Sequence, residues 1–427
     1  MTHLKVGKSA YKSLEERINL LPMGAPPSET LYKILQLLFT EKEASLVAKL
    51  PIRPFTVKAA SRIWKIDELS SRKILDQLAS RAILFDIDNN GTQQYMLPPP
   101  MAGFFEFALM RVRQDIDQKL LSELFHQYLN VEEAFVKDLF FSTETRQGRV
   151  FVQEDVLIKG NVAHILDFER ASKVIETSSH ISVSTCYCRH KKYHLGDACD
   201  KPMEVCFSFG NTAATLIKHD YSRKIEAQEA LEILHMSYEN NLVQCGENVR
   251  EDVSFMCNCC GCCCEALVSA RKFGMLHPVE TTNFIPNVNS ESCIGCGKCA
   301  RECPIGAIEM ITKENSNGSK RITPEINTEV CLGCGICARV CFKNSIILMD
   351  RGKKIVTPVN SSHRVVMQAI EKGTLQNLIF DSQAYASHRA MAAILNVILK
   401  LPPLKQAMAS KQMKSVYLEK LFKKPLQ

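Results

Sequence analysis

The chain has 427 residues, 46% apolar and 23% charged, with 53 basic against 46 acidic side chains and a net charge of +7. That length suits about three domains with cores of their own, and so mild a charge excess gives no ground for a nucleic-acid partner. The N-terminus shows no secretion signal and no stretch reaches about 18 apolar residues. The nearest, MAAILNVILKLPPL (391–404), is interrupted by Asn396 and Lys400. A cytoplasmic protein without a membrane span is expected, and in that reducing compartment its 19 cysteines point to metal sites rather than disulfides.

Residues 1–27 read as a lead-in helix ending at Pro26-Pro27. From Ser28, a candidate cap, Leu31, Ile34, Leu35 and Leu38 fall on one helical face. TVKAASRIW follows, then DELSSRKILDQLASRAIL, with Leu69, Ile74, Leu75 and Leu78 facing a core. Asn90-Gly91 then predicts a hairpin. This order over 28–98 resembles the winged helix-turn-helix family. DNA binding through it is disfavoured, because Asp67, Glu68 and Asp76 offset Arg72, Lys73 and Arg81. A protein-docking module is the plainer expectation.

Residues 99–180 read as a helical connector, with FFEFALMRVRQDIDQKLLSELFHQYL as one long amphipathic run. A cysteine-rich region spans 181–283, a second cysteine unit 284–350, and a helical, finally basic tail 351–427. No nucleotide, NAD or flavin motif occurs, nor any nucleophile motif for hydrolysis. The expected class is α+β and multidomain.

The 284–350 unit contains CIGCGKCARECP and CLGCGICARVCF, each Cys-x-x-Cys-x-x-Cys-x-x-x-Cys. Glycines 295, 297, 333 and 335 permit turns that bring amides near the sulfurs. The repeat resembles bacterial dicluster ferredoxins, and the resemblance implies a (βαβ)2 ferredoxin-like domain with two [4Fe–4S] clusters. Each fourth cysteine then serves the other cluster. Cys293, Cys296, Cys299 and Cys341 would hold one, and Cys331, Cys334, Cys337 and Cys303 the other. The strands IGAIEMIT and NSIILMD follow the fourth cysteines, and the insert KENSNGSKRITPEIN reads as a polar hairpin. Phe342 stands where the first repeat has Pro304.

Ten further thiols are candidate metal ligands: Cys186, Cys188, Cys199 and Cys206 upstream, and Cys257, Cys259, Cys260, Cys262, Cys263 and Cys264 in CNCCGCCC. The simplest assembly gives the first four one additional iron–sulfur cluster, alone or with CNCCGCCC thiols; zinc and a reactive thiol patch are the alternatives. His190 and His194 lie within reach of the first pair. The run from Arg189 to Lys192 either balances an anionic cluster or sits in solvent. Cys245 reads as a lone buried hydrophobe. Cys259-Cys260-Gly261 resembles the Cys-Cys-Gly motif of heterodisulfide-reductase-type subunits, which carry two such motifs where this chain has one. The order of blocks over 180–350 also resembles an uncharacterised group of bacterial and archaeal multi-cluster ferredoxin proteins. That resemblance implies electron transfer in anaerobic metabolism, with redox proteins as partners. Three functions compete: an electron carrier, an oxidoreductase whose cysteine-rich site reduces a substrate, and a redox-sensing DNA-binding regulator.

Overall fold

A computed structural model describes residues 2–89, 91–158, 166–274, 276–314, 320–352 and 355–380. Helices Thr2–Ile18, Glu29–Leu38, Glu41–Val47, Val57–Trp64 and Glu68–Ser80 build the N-terminal part. The last four each start at a Ser, Thr or Asp whose side-chain oxygen accepts a first-turn amide; the Leu31 N–H lies 3.0 Å from Ser28 Oγ. Leu31, Ile34, Leu35 and Leu38 are buried as expected. Leu69 is not: it is 67% exposed. Six positions before Leu75, it lies about 120° around the helix from the buried face.

The antiparallel strands β1 (Phe85–Asn89) and β2 (Thr92–Met96) follow, with Phe85 opposite Met96. Their hairpin leans on helix Gly210–Lys218: Thr215 Oγ1 donates to the Asp86 carbonyl at 2.9 Å, while Asp86 pairs with Lys218 and, at 3.0 Å, with His219. Burial alone would raise the Asp86 pKa, but His219 and Lys218 outweigh it and hold the carboxyl below its ordinary value. The stability this contributes is therefore complete above about pH 4 and is lost as pH falls through the lowered value. Asp86→Asn is expected to cost about 2–3 kcal/mol in urea unfolding at pH 7 and much less at pH 3; an equal cost at both would contradict the pairing.

The long helical run expected over 104–129 is broken. After short turns over 100–107 the chain crosses irregular backbone to helix Gln118–His126, capped by Asp117. Gln118 holds that crossing, donating to the carbonyls of Ala108 at 2.9 Å and Arg111 at 2.8 Å. The connector is also not all helix, because it supplies β3 (Gly148–Phe151) to a sheet.

That sheet was not legible beforehand. Strands β3, β4 (Ile181–Thr185), β5 (Glu204–Phe209), β6 (Arg223–Lys224), β7 (Val243–Glu247) and β8 (Phe255–Cys259) form one six-stranded antiparallel sheet in the order β3-β7-β8-β5-β4-β6. Strand alternation sends Phe207, Phe209 and Met256 to one face, into a core with helices Ala171–Thr177 and Ala227–Glu239. Cys206, Cys257 and Cys259 therefore point to the other face.

In the second cysteine unit β9 (Phe284–Val288) pairs with β12 (Ile346–Asp350), and β10 (Ile308–Glu314) with β11 (Lys320–Ile326). Each repeat runs strand, helix, strand (β9, Lys298–Arg301, β10; β11, Ile336–Arg339, β12), and both strand pairs are antiparallel, each joining one repeat to the other. Helix Ser361–Lys372 is fastened to the sheet by Arg364, whose guanidinium reaches Glu247 at 2.8 Å with both side chains buried. The basic end of the tail and the 391–404 stretch lie outside the described residues. Among the described residues no helix is long and apolar enough to cross a membrane.

Candidate metal centres

The two cysteine repeats fold into matching loops. Each triplet wraps into a short helix, Lys298–Arg301 or Ile336–Arg339, entered through Gly297 or Gly335 in the left-handed region; these two helices pack on each other. Amides point at sulfurs: Gly295 N–H to Cys293 at 3.4 Å, Ala307 N–H to Cys303 at 3.2 Å and Ser345 N–H to Cys341 at 3.3 Å. Cys303, from the first repeat, lines one small pocket together with Cys331, Cys334 and Cys337 of the second. Cys299 faces Cys293 and Cys296, and Cys341 packs in the same apolar cluster as Cys299. Gly333 has φ +73, and a Cβ there would meet Phe284 O and Thr282 Oγ1 at 2.2 Å. Gly333→Ala is expected to cost at least about 1–2 kcal/mol from its backbone conformation alone, and to lower iron bound by the second loop. An unchanged thermal midpoint and iron content would contradict this.

The ten other candidates divide differently from the simplest expectation. Cys186, Cys188, Cys199 and Cys206 are not brought together. Cys199 joins Cys260, Cys262 and Cys263, with all four sulfurs within 4.8 Å of one another. Cys199 lies 3.7 Å from Cys260 and 3.6 Å from Cys263, and Cys263 lies 3.8 Å from Cys262. Four sulfurs around one ion at about 2.3 Å lie about 3.8 Å apart, so this set fits a single tetrahedral ion. Cys262 is exposed, which puts the set at the surface. A hydrogen bond from Cys263, working against burial and helped by the Arg189 guanidinium, pulls the Cys260 thiol down to about 4.

The remaining six form a nest in which Cys259 and Cys264 are buried and Cys186, Cys188, Cys206 and Cys257 half-buried. One register step beyond the Phe207–Met256 pair, Cys206 lies across from Cys257, which is itself opposite Cys245 on β7. Cys257 also faces Cys259, Cys259 faces Cys264, Cys264 faces Cys188, and Cys188 faces Cys186. Cys186 and Cys264 are the N-cap residues of helices Tyr187–His194 and Glu265–Phe273. The facing Cys257 thiol together with burial pushes Cys206 well above the ordinary thiol value. The nest borders a chamber of about 1150 Å³ whose wall includes Glu106, Met101 and Phe107. Burial pushes the Glu106 carboxyl up to about 8.

The basic run is largely inside. Arg189 and Lys191 have no exposed surface. Arg189 donates to the carbonyls of Pro202 and Asn258, both at 2.7 Å. Lys191 pairs with Glu265 at 2.5 Å and donates to Asn130 at 2.7 Å; Asn130 donates to Glu265 at 2.9 Å. Lys192 pairs with Asp197 near the surface. His190 and His194 turn from the thiols: His190 Nδ1 sits 2.7 Å from the Leu109 carbonyl and its Nε2 3.1 Å from His194.

Residues 292–345 match the family model of the 4Fe-4S dicluster domain. That segment makes this an iron–sulfur protein. No curated protein and no solved structure matches the chain.

The dicluster domain is built into the rest of the chain. Gly261, inside CNCCGCCC, packs so close to Pro304 that a Cβ would meet its carbonyl oxygen at 2.3 Å. Cys331, Cys303 and Cys334 of the dicluster domain share one apolar cluster with Cys245, Cys257, Cys259 and Cys264. Cys245 is part of this junction: it faces Cys259 and shares the apolar cluster with Cys334. Sequence reasoning passed over it, and its place opposite Cys257 is visible only once β7 and β8 are in register.

Proposed function

We propose that the chain is an electron-transfer protein, or the electron-carrying subunit of a redox system, with two [4Fe–4S] clusters in the dicluster domain. Cys293, Cys296, Cys299 and Cys341 hold the outer cluster, and Cys331, Cys334, Cys337 and Cys303 the inner one. The observation that carries this reading is Cys303, which crosses from its own repeat to line one small pocket with the other triplet. Such clusters supply one-electron transfer. The protein sets their order by burial: Cys296 is exposed, whereas Cys331 and Cys337 are buried. Ile294 and Phe342, 57% and 63% exposed, flank ligands of the outer cluster and give a redox partner an apolar face. Electrons enter there and leave inward, toward Cys245.

The N-terminal module serves docking rather than DNA in this reading. A basic side chain at the end of its fifth helix is neutralised internally, Arg81 by Glu43 at 2.6 Å, and phosphate binding needs free cations.

Cys303→Ala tests the assignment. The reduced wild-type protein should give the broadened paramagnetic resonance of two neighbouring, interacting clusters. The variant should lose up to about four irons and show one isolated cluster. Full iron and an unchanged coupled spectrum in the variant would overturn it.

A further inference from the structure

The electron path ends at thiols that the dicluster domain does not use. We propose that Cys186, Cys188, Cys206, Cys257, Cys259 and Cys264 together ligate a further polynuclear iron–sulfide cluster, separate from the single-ion site at Cys199 and presented to the chamber they border. This rests on the electron-transfer reading for its supply of electrons, not for its ligands.

Spacing separates the two sites. Among the described residues, no three of these six sulfurs come as close to one another as the Cys199 group does. One ion cannot span them, whereas iron bridged by inorganic sulfide can. Their convergence is also specific. Cys206, Cys257 and Cys259 come from one face of the sheet, and Cys186 and Cys264 from two helix starts whose dipoles favour an anion. A cysteine acting as a small hydrophobe fills space, as Leu or Val would. These six instead border the chamber of about 1150 Å³.

Charge fits as well. An anionic cluster in the interior needs a cation, and Arg189 is fully buried beside Cys186 and Cys259 of the nest as well as Cys260 of the single-ion site. Its two terminal nitrogens are satisfied by carbonyls, but its Nε has no hydrogen-bond partner among the described residues. A buried guanidinium with a donor to spare beside thiols is what a sulfide- and thiolate-bound cluster would complete. Cys245, which faces Cys259 and shares an apolar cluster with Cys334, continues the path from the inner dicluster site.

The test counts iron, acid-labile sulfide and zinc on the full chain after anaerobic reconstitution with ferrous iron and sulfide. Wild type should bind about twelve irons or more, about eight of them in the dicluster domain. Cys257→Ala/Cys259→Ala should lose about four or more while keeping its zinc and the coupled dicluster resonance. A wild type that stops at about eight irons with that resonance complete overturns the proposal, as does a folded double variant with undiminished iron. If the double variant does not fold, the wild-type count decides. Failure of the dicluster reading looks different: iron lost on Cys257→Ala/Cys259→Ala, with no coupled resonance in either protein.

Discussion

Lys191→Met is expected to lower stability by about 3–5 kcal/mol and to strip the thiol nest of iron while the dicluster domain keeps its own. Lys191 has no exposed surface, and its partner Glu265 has a side chain 4% exposed. Removing the cation leaves a carboxylate in the interior that keeps the hydrogen bond from Asn130. The effect reaches the nest because the triad ties together the two helices that begin at Cys186 and Cys264. Losing it frees each N-cap thiol to move relative to the other. Lys191→Met/Glu265→Leu should regain much of the stability, since an apolar pair avoids the desolvation of either ion. Urea unfolding with iron counts on all three proteins checks this. A single variant as stable and as iron-rich as wild type would refute the triad's role.

Cys263→Ser is expected to release one zinc ion per chain and to lower stability by several kcal/mol, because binding a closed four-thiolate ion is folding free energy. The spacing of 3.6–3.8 Å suits one ion, and four protein ligands leave no open position for chemistry. The ion ties the loop bearing Cys199 to CNCCGCCC, whose Gly261 rests on Pro304 of the dicluster domain. Faster amide exchange should therefore appear first around Cys199, with dicluster iron retained. Zinc by elemental analysis and exchange by mass spectrometry give the readings. Wild-type protein without zinc, or a variant with unaltered exchange around Cys199, would count against a structural ion here.

What the sequence disclosed follows from how far apart the cooperating residues are. The dicluster motifs were legible because three of each four ligands lie within seven residues of one another, so local spacing carries the chemistry. The helix starts at Ser28, Thr56 and Asp67 are local as well, and so is the hairpin around Asn90-Gly91. The division of the other ten thiols was not legible. It depends on a sheet register that sets Cys245, Cys257 and Cys206 side by side from three strands, and on a loop that brings Cys199 to Cys263 across 64 positions. β8 alternates cysteine with Met256 and Asn258, and β5 and β7 hold one cysteine each; none has the β-branched run that marks a strand in a sequence. The place of Lys191 was left open between cluster and solvent for the same reason. A lysine among basic neighbours looks solvated until a distant Glu265 is placed against it.

Anomalous diffraction from crystals of the anaerobically purified full chain, collected at the iron and zinc absorption edges, places each metal directly. Iron should appear in both dicluster loops and within the nest bounded by Cys186, Cys206, Cys257 and Cys264, with zinc between Cys199 and Cys263. Iron confined to the dicluster loops with nothing in the nest, or zinc in the nest, would contradict a wire of iron–sulfur centres leading inward to the chamber.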